Sequence, residues 1–374
     1  MDSRKVVIIG GGIIGSSIGY RLSELDHKVV VVDRGPFQQS CSSHSFAWIN
    51  ASSKGPPLDY HNLNRTSVEM WPRFAAGLNA DVGLNLNGVI HWENTEEGAM
   101  SARARVELLQ SWGYPMQVVG ADFIKEKEPT VVHGAVTFGQ YAPIEGHVEP
   151  KRVINACQAK IISNGGEILN ECEVIGFVKD SASSRVTSVQ TCTEYIECDV
   201  VVLAAGTDTE RLADLLGVHI PLQESPGVVA WTDPQPHSVN GIVMAPSVHD
   251  PNGEVHIRQL RDGTFQIVNE VRQHANVQED DSREAANSVL RQLTEYFPQL
   301  KDANVIPEPT GYRPMPQDRH PIIGFDSTWT NLYTTVTHSG VTLAPLVSEL
   351  VSLEINSGVR AVQLDNYRPE RFQN

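Results

Sequence analysis

The first 33 residues place a helical pattern between two short β-branched runs. Residues 6–9 (VVII) predict a buried parallel strand, and three glycines follow where a tight turn is needed. From Ile13 onward apolar residues recur at helical spacing up to Leu25. Residues 29–32 (VVVV) then predict a second buried strand, which ends at Asp33. This order predicts a complete βαβ unit, and therefore a parallel sheet in the fold.

Gly10, Gly12 and Gly15 have the Gly-x-Gly-x-x-Gly spacing of a dinucleotide-binding turn. The first glycine makes the turn, the second lets backbone N–H groups approach a pyrophosphate, and the third lets the helix pack close to the sheet. Asp33 follows Gly10 by 23 residues and can accept hydrogen bonds from a ribose diol. A flexible glycine loop is the alternative, and the position between strand and helix favours the dinucleotide site.

A second strand of the same kind is predicted at residues 199–203 (DVVVL), and it ends in Ala-Ala-Gly. Thr209 is placed to cap a helix that carries Leu212, Leu215 and Leu216. The glycine motif alone does not distinguish nicotinamide from flavin dinucleotides. FAD-binding chains commonly place this motif at the extreme N-terminus and follow it with a distant strand ending in Ala-Ala-Gly. Both features are present, so the sequence favours FAD.

The rest of the chain has a different pattern of apolar residues from these βαβ segments. The patterns predict helices at residues 60–78, 101–112 and 282–297, an alternating strand at 88–92, and a hairpin of 255–259 with 264–271. We interpret them as a mostly antiparallel sheet with one covering helix. The predicted domains are discontinuous: 1–75, 145–222 and 308–374 bind FAD, and 76–144 with 223–307 bind substrate.

The charge and cysteine content of the chain exclude several classes of function. A formal net charge of −16 without a Lys/Arg cluster argues against nucleic acid or an anionic membrane as a partner. Five scattered cysteines predict reduced thiols in the cytoplasm and no metal site. No apolar stretch at the N-terminus is long enough to span a membrane.

Motifs along almost the whole chain resemble the glycine oxidase, D-amino-acid oxidase and sarcosine oxidase superfamily of flavoenzymes, the DAO family. The resemblance is carried by residues 6–19 with Asp33-Arg34-Gly35, by 148–150, 165–168 and 201–206, by 311–318 with 321–324, by 337–345, and by 368–372. It implies an α/β fold with a Rossmann-like FAD-binding domain of the glutathione-reductase type, and an α+β substrate part. It also implies FAD contacts at Ile13, Ile14, Arg34, Val174, Ala205 and Gly206.

The resemblance assigns the substrate carboxylate to Arg313, a residue that would also touch the flavin. A planar guanidinium binds a carboxylate through two parallel hydrogen bonds. A structural ion pair between the domains is the alternative role. Ser339, Gly340, Val341 and Thr342 would lead into a helix whose N-terminus faces the flavin ring, with Pro345 in the first turn of that helix. A plain capping turn is the alternative.

The loop of residues 40–48 (SCSSHSFAW) should run beneath the flavin ring, with Ser42 and Ser43 contacting the cofactor. Its His44 has three interpretations: a covalent link to the flavin, a noncovalent active-site role, or a role in packing only. Noncovalent FAD is the default, because this loop resembles that of D-amino-acid dehydrogenases and no C-terminal cysteine matches the covalent attachment of sarcosine oxidases. His44, Trp48 and His338 are predicted to face the substrate.

The predicted reaction is removal of a hydride from the carbon next to the nitrogen of an amino acid or N-alkyl amino acid, giving an imine. No catalytic acid or base is assigned, because in this family positioning replaces acid–base machinery. The electrons would pass to oxygen, a quinone or an acceptor protein. The alternatives are a flavin subunit of a heteromeric dehydrogenase, or a flavoenzyme for a non-amine substrate such as a hydroxy acid. The chain could also form a homo-oligomer.

Overall fold

Two large sheets organise the chain. The computed structural model describes residues 3–35, 40–227, 229–247, 253–269, 279–306 and 311–372. The α-helices in these ranges are α1 (Ile13–Ser23), α2 (Leu58–Leu78), α3 (Glu96–Ser111), α4 (Ala121–Lys127), α5 (Pro150–Ser163), α6 (Thr209–Asp214), α7 (Glu279–Tyr296) and α8 (Gly340–Ser357). The strands are β1 (Lys5–Ile9), β2 (Lys28–Val32), β3 (Trp48–Ile49), β4 (Val89–Glu93), β5 (Gln117–Val119), β6 (Phe138–Ala142), β7 (Gly146–His147), β8 (Glu167–Leu169), β9 (Val174–Asp180), β10 (Arg185–Thr191), β11 (Tyr195–Glu197), β12 (Val200–Leu203), β13 (Leu222–Gln223), β14 (Pro226–Gly227), β15 (Ala230–Thr232), β16 (Ile242–Pro246), β17 (Glu254–Gln259), β18 (Phe265–Asn269), β19 (Val305–Ile306), β20 (Gly311–Tyr312), β21 (Met315–Pro316), β22 (Ile322–Phe325) and β23 (Leu332–Val336).

The first sheet has six strands in the order β22-β23-β12-β1-β2-β8. Strand β1 pairs in parallel with β2 on one side and with β12 on the other, so Val7 lies between Val30 and Val201. The predicted βαβ unit and the second strand of the same kind are therefore confirmed, and both belong to one sheet. Both faces of these strands are covered, which explains why the runs are apolar throughout rather than alternating.

Alternate residues of β1 and β2 enter two different cores. Val6, Ile8, Val29 and Val31 pack with the helices α1, α5 and α8, whereas Val7 and its neighbours in register pack against the small sheet of β9, β10 and β11. The parallel sheet thus has helices on one face and a small antiparallel sheet on the other. The carboxyl ends of β1, β2 and β12 meet at one edge, where ligands of such sheets bind.

The second sheet has eight strands in the order β19-β15-β18-β17-β16-β4-β6-β5. Its registered pairs are antiparallel except β4 with β16. The predicted strand near residues 88–92 and the predicted hairpin are confirmed as β4 and as β17 with β18; residues 270 and 271 of the hairpin lie outside the described residues. Helix α7 covers one face through Leu290 and Leu293, and the opposite face is open toward the first sheet.

Three local predictions were wrong. Thr209 does not cap α6: it is the first helical residue, the cap position belongs to Asp208, and the Thr209 hydroxyl has no partner among the described residues. Pro345 lies in the second turn of α8, inside the helix, rather than in the first turn. Helix α3 also begins earlier than predicted, because the Thr95 side chain accepts a hydrogen bond from the backbone N–H of Gly98 and sets the start.

The five cysteines are all free, as expected. Within the described ranges, no helix combines the length and apolar character that a membrane crossing needs. No group of three or more His, Cys, Asp or Glu side chains among the described residues could hold a metal ion.

Candidate active site

A cavity of about 520 Å³ lies between the carboxyl edge of the parallel sheet and the open face of the eight-stranded sheet. It brings together most of the residues that the sequence singled out. These are Gly10, Gly12, Ile13, Ile14, Asp33, Arg34, Ser42, His44, Trp48, Val174, Ala205, Gly206, Arg313, His338, Ser339, Gly340, Val341 and Thr342. Gly15 and Ser43 do not line the cavity: Gly15 lies behind the turn, and the Ser43 hydroxyl donates to the carbonyl of Ser40 at 2.7 Å.

The glycines of the turn are required for two different reasons. Gly10 has φ of +108°, and a Cβ there would overlap the carbonyl of Ala204 on the neighbouring strand. A Cβ on Gly15 would overlap the carbonyl of Gly10. Gly12 is different, because its nearest neighbour would be Ser42 Oγ at 3.3 Å, and its backbone is extended. The protein alone does not need a glycine at position 12, which fits a site where a ligand approaches the backbone.

Asp33 is held in place by the backbone of the turn. Its Oδ2 accepts a hydrogen bond from Gly11 N–H at 2.6 Å, and its Oδ1 accepts one from Gly35 N–H at 3.0 Å. The carboxylate thus lies beside the start of α1 with lone pairs still available on both oxygens. Arg34 pairs with Asp208 at 3.2 Å. The glycine turn, the helix N-terminus and the carboxylate together suit the ADP half of FAD.

Glu145, a residue that the sequence did not indicate, organises the loop behind the cavity. Its Oε1 accepts hydrogen bonds from Ala51 N–H (2.8 Å), Ser52 N–H (2.6 Å) and Tyr114 OH (2.6 Å). Its Oε2 accepts from the indole N–H of Trp48 at 3.0 Å. Burial raises the pKa of Glu145 although these donors oppose the shift. The side chain fixes both the loop backbone and the orientation of Trp48.

Arg313 and His44 are positioned by two glycines of the β14–β20 pair. A Cβ on Gly227 would lie 2.8 Å from a guanidinium nitrogen of Arg313, and a Cβ on Gly311 would lie 2.5 Å from His44 Cβ. Both side chains therefore lie directly against backbone. Burial, with the positive charges of Lys54 and Arg313, lowers the pKa of His338 to about 3. His338 is consequently a neutral imidazole at pH 7.

The start of α8 is tied to the loop that carries Trp48. Thr342 Oγ1 donates to the carbonyl of Trp48 at 3.1 Å and accepts from Asn50 N–H at 3.2 Å. The Thr342 carbonyl accepts the indole N–H of Trp71 on α2 at 3.2 Å. Ser67 of α2 also accepts a hydrogen bond from the backbone N–H of Leu346 at 3.2 Å, so helix α2 binds α8 on both sides of Pro345.

A cluster of histidines and carboxylates lies on the face of the eight-stranded sheet, and no motif in the sequence indicated it. His91 Nε2 lies 3.1 Å from Glu93 Oε1 and 3.2 Å from Glu254 Oε2. His256 Nε2 lies 3.1 Å from Glu254 Oε1. Burial works against a charge on His91, but Glu254 and Glu93 outweigh it and raise the pKa of His91. Burial likewise opposes ionisation of Glu254, yet His91 and His256 hold the pKa of Glu254 well below its usual range.

The charge on His91 also decides how the neighbouring amide is oriented. Gln140 Nε2 lies 2.7 Å from His91 Nδ1, while Gln140 Oε1 has no partner among the described residues. The two ends of a side-chain amide have almost the same shape, so the hydrogen bonds around it decide which end faces which neighbour. Protonation of His91 would place an N–H at both ring nitrogens, and rotating the Gln140 amide by half a turn would then turn Oε1 toward Nδ1–H as its acceptor.

Known proteins resemble this chain along most of its length. A family model described as FAD dependent oxidoreductase (DAO) matches residues 5–352. The chain is 25% identical to one of the subunits of the opine oxidase of Agrobacterium tumefaciens, over 98% of this chain and 97% of that protein. It is 25% identical to the glycine oxidase of Pseudomonas putida, over 98% and 99% of the two chains. The crystal structure of glycine oxidase from Geobacillus kaustophilus has the same fold, with a TM-score of 0.85, 22% identity and 98% of each chain covered.

Proposed function

The chain belongs to the family of FAD-dependent oxidoreductases, and on that premise we propose that it oxidises an amino acid or N-alkyl amino acid by removing a hydride from the α-carbon. The observation that carries this proposal is the position of Arg313. Its guanidinium faces the same cavity as the glycine turn and lies directly against Gly227. A hydroxy-acid substrate is not favoured, because relatives such as glycine oxidase are named for amine chemistry.

Different residues of the cavity would hold the cofactor and the substrate. Gly10, Gly12 and the start of α1 would hold the FAD pyrophosphate, and Asp33 would bind a ribose hydroxyl. Ser339 and Thr342 would place the N-terminus of α8 at the ring. Bound FAD supplies the acceptor for the hydride.

Binding of the substrate carboxylate by Arg313 would aim the α C–H and keep the substrate still. His338 is neutral, so it adds no second positive charge beside Arg313, and an uncharged amine can lie next to it. The imine product would then hydrolyse in water, or persist if it is cyclic. We assign no catalytic acid or base to the chain.

We also propose that FAD is bound without a covalent link and that His44 has a packing or active-site role. His44 lies against Gly311 in the cavity wall. Acid precipitation separates the two cases, because noncovalent FAD stays in the supernatant while flavin attached to His44 would stay in the pellet. The division into an FAD-binding domain (1–75, 145–222, 308–374) and a substrate-binding domain (76–144, 223–307) is likewise part of the proposal, as is a cytoplasmic location.

A second polypeptide is a further element of the proposal. The relative from Agrobacterium tumefaciens is named as one component of a larger oxidase. Copurification of the chain from its native host with a second polypeptide would support a heteromer, whereas full turnover by the isolated chain would show that none is needed.

The test of the proposed function is anaerobic bleaching of the flavin absorbance by D-, L-, N-methyl and cyclic amino acids. Bleaching by any of these classes of amino acid supports the proposal and narrows the range of possible substrates. Admission of air then separates an oxidase, whose colour returns quickly, from a dehydrogenase. Bleaching by hydroxy acids alone would overturn the proposal.

A further inference from the structure

Ser339 occupies the N-cap position of α8 but does not cap the helix. Serine is preferred at this position because its hydroxyl accepts a hydrogen bond from an N–H group of the first turn. The Ser339 side chain makes no such bond, and its ψ of 37° differs from the extended backbone usual for a cap. Among the described residues, the N–H groups of Gly340, Val341 and Thr342 have no partner. These donors therefore remain available to a ligand in the cavity, which all four residues line.

The hydroxyl of Ser339 is paired with a tyrosine instead. Tyr60 lies in the first turn of α2, and its OH is 3.1 Å from Ser339 Oγ. Ser339 is only 8% exposed, so little water competes for this contact. The direction of the side chain and the backbone conformation of Ser339 thus both hold its oxygen away from the first turn of α8.

Two aromatic rings from distant parts of the chain hold Tyr60. The Tyr60 ring lies edge-on to the His320 ring at 5.1 Å and tilted to the Tyr367 ring at 6.3 Å, centroid to centroid. The rings of His320 and Tyr367 are nearly parallel to each other, with an angle of 24° between their planes. Tyr367 also donates a hydrogen bond to Asp59 Oδ2 at 3.2 Å, one residue before Tyr60. Rotation of Tyr60 away from Ser339 would therefore disturb both ring contacts.

The C-terminal tail is tied to the same aromatic cluster. Arg371 in the tail donates hydrogen bonds to the two carboxylate oxygens of Asp318 at 2.7 and 3.1 Å, and to the carbonyl of His320 at 3.2 Å. None of residues 368–372 lines the 520 Å³ cavity. The tail therefore contributes to the site through the rings that it holds and not through contact with a ligand.

We propose that Tyr60 is a positioning residue, which holds Ser339 out of the capping arrangement and keeps the N–H groups at the start of α8 available to the flavin ring. The inference rests on the proposed function, in which the start of α8 lies at the ring. A flavin gains negative charge on reduction, and a helix N-terminus stabilises a negative charge. A capping serine would use one of these donors for itself. Tyr60 thus favours reduced over oxidised flavin in the site.

Reduction potentials of the FAD-loaded enzyme test the inference. Anaerobic reduction in equilibrium with a reference dye measures the potential without any amine substrate. Tyr60→Phe removes only the hydroxyl and keeps the ring that packs against His320 and Tyr367. It should lower the preference for reduced flavin by about 10-fold, the effect of losing one hydrogen bond to a charged group, which is about 30 mV for a two-electron couple. The urea unfolding midpoint of the apoprotein should stay near wild type, because the lost hydroxyl pair and the gained cap are of similar size.

A second background and a matched control sharpen the test. Alanine has no hydroxyl that Tyr60 could hold, so adding Tyr60→Phe to Ser339→Ala should leave the potential of the Ser339→Ala enzyme unchanged. Tyr333→Phe is the matched control. The Tyr333 OH donates to Glu354 Oε2 at 2.6 Å in the last turn of α8, and Tyr333 does not line the cavity. That variant should keep the wild-type potential.

The outcomes separate the inference from the proposed function. A wild-type potential in Tyr60→Phe overturns the inference, and so does an equal fall with and without the Ser339 hydroxyl. An equal fall in Tyr333→Phe also overturns it, because the cause would then be a general loosening of α8. A lower unfolding midpoint of the Tyr60→Phe apoprotein would show that Tyr60 serves the fold instead. None of these measurements needs an amine, so failure of every amine to bleach the flavin overturns the proposed function independently of them.

Discussion

Substitution of Gly12 by alanine should weaken FAD binding without harming the fold. Gly12 has φ of −69° and ψ of −174°, which alanine adopts without strain, and its new Cβ would meet only Ser42 Oγ at 3.3 Å. Alanine leaves the unfolded chain less conformational freedom than glycine does, which stabilises the folded variant by about 0.4–1 kcal/mol. Disturbance of the hydrogen bond from Ile13 N–H to Ser42 Oγ costs about 0.5–1.5 kcal/mol. The two effects nearly cancel, so the free energy of unfolding of the apoprotein should stay within about 1 kcal/mol of wild type.

The effect on the cofactor should be much larger. A methyl group at position 12 would stand between the N-terminus of α1 and the pyrophosphate. Loss of one hydrogen bond to a charged group costs about 1.5–3 kcal/mol, or roughly 10- to 150-fold in the dissociation constant of FAD. Titration of the apoprotein with FAD, followed by flavin fluorescence, measures this change directly, and urea unfolding of the apoprotein measures stability.

Gly10→Ala is the contrasting variant for the same assays. Its φ of +108° and the overlap with the Ala204 carbonyl should destabilise the apoprotein itself by more than about 2 kcal/mol. FAD affinity of Gly12→Ala equal to wild type would refute the assignment of this turn to the pyrophosphate. A Gly12→Ala apoprotein as unstable as Gly10→Ala would refute the distinction between the two glycines.

Three further predictions address the rest of the cavity. Arg313→Met should lower the ratio of reduction rate to dissociation constant by about 30- to 5,000-fold, since removing one partner of a buried charged pair costs about 2–5 kcal/mol; a change under about threefold in stopped-flow reduction would exclude Arg313 as the carboxylate anchor. Glu145→Gln replaces the oxygen that accepts the Trp48 indole N–H with an NH₂ group, so two donors would face each other. The free energy of unfolding, measured in urea, should fall by about 1–3 kcal/mol. An unchanged unfolding midpoint would contradict the assigned hydrogen bonds. The pKa of His91 is raised in the folded protein. The ion pair of His91 with Glu254 therefore contributes its full stabilisation of the fold below the unfolded-state pKa of about 6.5, and this stabilisation is lost as the pH rises through the folded-state pKa. The stability advantage of wild type over His91→Gln should therefore be larger at pH 6 than at pH 9, and an advantage that grows with pH would reverse the assigned charge.

The parts of the site that could be predicted from sequence depend on short-range geometry. Gly10 and Asp33 belong to one βαβ unit, and the backbone of the turn brings them together whatever the rest of the chain does. Arg313 was predicted from a recognisable sequence motif, and the structure brings it to the same cavity. The incorrect assignment of Thr209 came from reading a cap by residue type, when Asp208 two positions after Gly206 takes that place.

The cluster of histidines and carboxylates on the eight-stranded sheet could not be predicted in the same way. His91 is on β4 and Glu254 on β17, and only the register of the intervening β16 brings them to one face. In the sequence, His91 is an ordinary polar residue in an alternating strand. Glu145 was equally hidden, because its role depends on donors from Trp48, Ser52 and Tyr114, which lie far away along the chain.

The loop that carries Trp48 links these local and nonlocal parts of the site. Glu145 holds it from behind, Thr342 holds it from the start of α8, and His256 packs against the Trp48 ring from the sheet. One short segment therefore contacts both the start of α8 and the face of the eight-stranded sheet. A substitution of His256, which packs against the Trp48 ring, should therefore change the flavin absorbance spectrum as well as the kinetics, because this loop contacts both surfaces.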